Sequence, residues 1–94
     1  MDKPVIKFNL SIAVIKEGNK FVAYSPALDL SSCGKTAKEA RKRFSEAVSL
    51  FFEEIIKRGS FEEVLADLGW KKINSIWNPP KIVSNDIQTF CVAA

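Results

Sequence analysis

Histidine is absent from this 94-residue chain, and that one fact removes His-based triads, the Cys–His nucleophile pair and nearly every common zinc site. Catalysis would have to rest on Asp, Glu, Lys, Cys or Tyr. Of the eleven acidic residues, Glu39, Glu46, Glu53, Glu54, Glu62, Glu63 and Asp67 fall at spacings that set them mostly opposite an apolar helical stripe. They read as a solvated face. Of the other four, Glu17 belongs to the turn "KEGNK", and no spacing among Asp2, Asp29 and Asp86 converges carboxylates on a metal pair. Cys33 stands beside Gly34 just ahead of a helix start, a place for a nucleophilic thiol, but no base accompanies it. The glycines at 18, 34, 59 and 69 mark element boundaries rather than a phosphate-cradling loop. The expectation is therefore a non-enzyme with no catalytic residue, no metal site and no cofactor.

Binding chemistry is concentrated in two stretches. The run "KTAKEARKRF" puts Lys35, Lys38, Arg41, Lys42 and Arg43 on the first turns of a helix, with Glu39 and Glu46 as i,i+3 and i,i+4 partners. A salt-laced helix face is the reading. With a net charge of +3 and no base-reading motif, nucleic-acid binding is expected to be absent or weak and strongly salt-dependent. The second stretch is "FVAYSPALDLSSCGKTAKEA", residues 21–40, where a Tyr, a Pro, an Asp and several serines fall on one connection. Tyr24, Pro26, Asp29 and Ser31 are the residues there that could face a protein partner.

These groups depend on the elements that carry them. "VIKFNLSIAVIK", from Val5 to Lys16, places Ile6, Phe8, Leu10, Ile12 and Val14 on one side, the period of two of a strand covered on one face. "KEGNK" is a tight turn in which Gly18 takes a positive φ, and "FVAYS" runs back as a second strand. Pro26 cannot donate to a ladder, which ends that strand near Ser25. "LSSCGK" is a short third strand, with Leu30 and Cys33 reaching the core. Thr36 and Glu39 of "TAKE" form a capping box, and Ala37, Ala40, Phe44, Ala47, Val48, Phe51 and Ile55 then draw one apolar stripe to about Gly59.

Leu50, Phe52 and Ile56 widen that stripe beyond what one small sheet needs, so they are the expected oligomer interface. Ser60 and Gly69 bracket a short second helix, "FEEVLADL". "WKKINSIWNPP" reads as a packed loop or extended segment, and Ile87, Thr89, Phe90, Cys91 and Val92 as a last strand. The sum is one α+β domain over residues 1–94: a three-stranded antiparallel sheet plus a C-terminal strand, packed by one long helix, with a short second helix. So short a chain gains from a second subunit, and a homo-oligomer is expected. Cys33 and Cys91 read as small buried hydrophobes. No apolar run is long enough to span a membrane and "MDKPVIKFNL" has no signal-peptide core, so a cytoplasmic protein is expected.

The order of residue types in "FVAYSPALDLSSCGKTAKEARKRFSEAVSLFFEE" resembles the HicB-like antitoxin family: an aromatic strand, a P-x-L loop, a short strand ending in Gly, a T-x-x-E-A helix start and an amphipathic helix. The match runs from about Val14 to Glu54. The resemblance implies a partial RNase H-like β-β-β-α-β unit without nuclease carboxylates. It also implies binding and occlusion of a small basic HicA-type toxin that cleaves mRNA. On this reading Tyr24, Pro26, Asp29 and Ser31 face that toxin.

Overall fold

The computed structural model describes residues 6–93. Strands β1 (Ala13–Glu17), β2 (Lys20–Ser25) and β3 (Leu30–Gly34) form an antiparallel sheet in the order β1-β2-β3. They are followed by α1 (Ala37–Lys57), α2 (Phe61–Asp67) and a two-stranded hairpin of β4 (Lys71–Ile73) and β5 (Ile76–Asn78). The fold is α+β, as expected.

The β1–β2 turn takes positive φ only at Gly18, 57°, which suits a II′-type two-residue loop. The register pairs Val14 with Ala23 and Ala23 with Ser32. Alternation therefore turns Phe21, Ala23 and Ser25 of β2, with Leu30, Ser32 and Gly34 of β3, toward α1. The small residues on this face let the helix come close. Ala23, Ala40 and Phe44 are wholly buried where it crosses, and a Cβ placed on Gly34 would lie 2.7 Å from the Ala40 nitrogen. A second cluster of Ala27, Leu28, Ile55, Leu65 and Trp70 continues the core along α1, with Leu30 and Val48 packing against both.

The helix ends follow their sequence signals in part. Thr36 Oγ1 accepts from the Glu39 N–H at 3.0 Å. The reciprocal half of the capping box is replaced, because the Glu39 carboxylate accepts from the Lys35 N–H at 3.5 Å and pairs with Arg43 at 3.0 Å. Both helices close in Schellman motifs: Gly59 and Gly69 take φ of 71° and 90°, and the N–H groups of Ser60 and Trp70 reach back to the carbonyls of Ile55 and Leu65. Ser60 stands at the α2 N-cap, but its hydroxyl donates to the Ile55 carbonyl instead of accepting from its own helix.

Four expectations are corrected. The first strand is regular only over Ala13–Glu17. β2 stops at Ser25 because Pro26 turns the chain, so residues 6–12 run beyond the last ladder partner; Phe8 and Leu10 still pack on the core, and Val5 lies outside the described residues. Cys33 is exposed rather than in the core, because its pairing with Val22 sets it on the face away from α1. Cys91 is exposed as well. "WKKINSIWN" is a β-hairpin, its loop residues Asn74 and Ser75 both at positive φ, 51° and 65°, the mark of a type I′ turn. Finally, residues 87–92 form no strand; Ile87, Phe90 and Val92 are exposed and no ladder receives them. Among the described residues no helix is long and apolar enough to cross a membrane.

Candidate functional site

Because α1 covers one face of the sheet, the other face stays open. It carries Ala13 and Ile15 from β1, Val22 and Tyr24 from β2, and Ser31 and Cys33 from β3, with cross-strand pairs Ala13–Tyr24–Ser31 and Ile15–Val22–Cys33. These side chains are uncharged; Glu17 and Lys20 sit together at the hairpin end. Ile15 is 47% exposed, while Val22 and Tyr24 are half-buried by their neighbours. A nearly charge-free sheet face of this kind loses little on desolvation.

At the opposite end from Glu17 the chain makes the turn 26–29, in which the Asp29 N–H donates to the Pro26 carbonyl at 3.3 Å. Asp29 takes φ of 48°, a left-handed backbone that Asp tolerates better than most residues. In that conformation its carboxylate accepts a hydrogen bond from the Tyr24 hydroxyl at 3.0 Å. This bond, then desolvation, then the Asp29 charge hold the Tyr24 phenol above the ordinary tyrosine range. The turn is rigid from beneath: Ala27 and Leu28 are buried, and the Trp70 indole Nε1–H donates to the Ala27 carbonyl at 2.8 Å. Beside it the Ser25 hydroxyl is buried with no hydrogen-bond partner among the described residues.

The structure thus brings Tyr24, Asp29 and Ser31 to one end of the open face, with Pro26 exposed on the adjoining turn. Sequence reasoning missed Ile15 and Val22 as members of this face and Trp70 as the anchor of its loop. The signal for the first two lay in the small residues of "FVAYS": Ala23 and Ser25 mark the helix side, which sends Val22 and Tyr24 outward. No local signal ties Trp70 to Ala27.

The other expected residues lie elsewhere. Leu50 and Ile56 are 65% and 54% exposed on α1. Phe52 is half-buried in an aromatic cluster of its own chain, its ring 5.0 Å from Phe8 and 6.3 Å from Trp70. Lys35, Lys38, Arg41 and Lys42 are exposed, and Arg43 is tied to Glu39 and to the Cys33 carbonyl at 3.3 Å. Among the described residues no group of three or more His, Cys, Asp or Glu side chains gathers to hold a metal. No family model, curated protein or solved structure matches the chain.

Proposed function

We propose that this protein is a non-enzymatic, antitoxin-like binding module of the HicB kind, which occludes a small basic mRNA-cleaving toxin with its open sheet face. The observation that supports this reading is the union of an uncharged sheet face with one fixed carboxylate at its end. Uncharged side chains lose little on desolvation, and the Asp29 carboxylate, held by Tyr24 over a buried turn, offers a Lys or Arg of the partner a pre-positioned acceptor. Pro26 and Ser31 border that contact.

The test is RNA cleavage by purified HicA-type toxins with and without excess chain. The wild-type protein should suppress cleavage through a stoichiometric complex, and Asp29→Lys should weaken the complex at least about tenfold, the equivalent of ~1.4 kcal/mol. A set of such toxins that all cleave at full rate in its presence overturns the proposal.

A further inference from the structure

After Pro79 and Pro80, Lys81 and Ile82 still border a cavity shared with Phe8 and Leu10, and residues 83–93 then run on as an arm exposed throughout. Val83, Ile87, Phe90 and Val92 on it are 96%, 103%, 76% and 87% exposed. The radius of gyration is 16.0 Å, against about 12 Å for a compact chain of this length. An arm this apolar and rich in β-branched and aromatic residues is matched to burial between surfaces, not to water. When extended, Val83, Ile87 and Cys91 share one face with Asn85 and Thr89, while Ile82, Phe90 and Val92 share the other with Ser84, Asp86 and Gln88. On that second face the apolar residues gather at the two ends, and Phe90 and Val92 together make an apolar tip.

The body offers a seat of the same shape. β3 is an edge strand, and the Cys33 carbonyl turned out toward Arg43 shows that, by antiparallel alternation, the N–H and C=O of Ser31 also point away from β2. Directly above this edge lies an apolar groove between β3 and α1 lined by Leu30, Ala47, Leu50 and Phe51, with Leu50 65% exposed. A strand added at β3 would place one of its faces in that groove and the other level with the open sheet face.

We infer that the protein forms a symmetric dimer by exchanging C-terminal arms, each arm adding as a strand to the partner copy's β3 with Phe90 and Val92 in the Leu30–Leu50–Phe51 groove. A second copy is the fitting occupant because the arm and its seat are on the same chain and reciprocal exchange satisfies both at once. Lys81 and Asp86 leave the arm near neutral, so it brings no net charge to the groove, whose lining includes Glu53, Glu54 and Lys57. The Pro79–Pro80 pair stiffens the root of the arm. This inference is independent of any toxin.

Sedimentation or light scattering of the full chain should give twice the 10.5 kDa chain mass. Phe90→Glu on the arm and Leu50→Glu in the groove should each reduce the mass to 10.5 kDa. Both positions are largely exposed in one chain, so helix content by circular dichroism should not change. Mixing the two variants should recover dimers in part, since the mixed pair has one wild-type contact, the arm of the Leu50→Glu chain in the groove of the Phe90→Glu chain, and one doubly substituted contact. A wild-type monomer, an arm folded back on its own chain, or a dimer indifferent to both substitutions would overturn the exchange.

Discussion

Tyr24 and Asp29 make a pair whose pH behaviour follows from geometry. The carboxylate accepts the phenol proton, so the neutral phenol is favoured in the folded state and its pKa is raised. A raised tyrosine pKa stabilises the fold fully below the unfolded value of about 10, and that contribution is lost as pH climbs through the higher folded value. Tyr24 is the single tyrosine of the chain, so its absorbance titration reads this one group. Asp29→Asn keeps a residue type that accepts the left-handed backbone and removes the charge; the titration midpoint should fall toward the ordinary tyrosine value, and an unmoved midpoint would show that Asp29 does not set it. The two residues were legible in the sequence as members of one loop. Their hydrogen bond was not, because it requires the positive φ of Asp29, which an Asp permits but does not dictate.

At the scale of elements, α1 and the sheet are joined where side chains are smallest. Gly34 is there for room, not for backbone freedom: a Cβ would meet the Ala40 nitrogen at 2.7 Å and the Glu39 Cβ at 2.9 Å. Gly34→Ala should push the first turn of α1 off β3 and lower stability by about 1–3 kcal/mol, measured by urea unfolding; an unchanged midpoint would mean that the helix start shifts freely. The sequence announced α1 with a cap, a continuous stripe and a closing glycine, and these are local signals. It also announced the hairpin β1–β2 through Gly18. Strand length was less legible, since the alternation of residues 6–12 persists where no partner strand remains, and periodicity reports a covered face rather than a ladder. Cys33 was misplaced for a related reason: in a strand of mixed small residues only the register against Val22 decides which side faces α1. The β4–β5 hairpin escaped notice because "NS" is a weaker I′ signal than Asn-Gly.

At the scale of the whole molecule, the hydrogen bond of greatest sequence separation among the described residues is the Trp70 indole on the Ala27 carbonyl, 43 positions apart. Trp70→Phe would leave that buried carbonyl without its donor, at about 1–3 kcal/mol for the lost partner alone. The expected signature is a lower unfolding midpoint together with faster amide exchange in residues 26–29; a loop exchanging at the wild-type rate would show that burial of Ala27 and Leu28 holds it unaided. Nothing in the one-dimensional pattern joins these two positions, and the same holds for the exposed arm, whose strand-like composition was legible while its lack of a seat in its own chain was not. The separation also orders events in time. On the ribosome the sheet and its turn are made long before Trp70 emerges, so through that interval a nascent chain has the Tyr24–Asp29 loop without its clamp. The surface becomes rigid late in synthesis, and a chain interrupted before residue 70 would display it only in a loosened form.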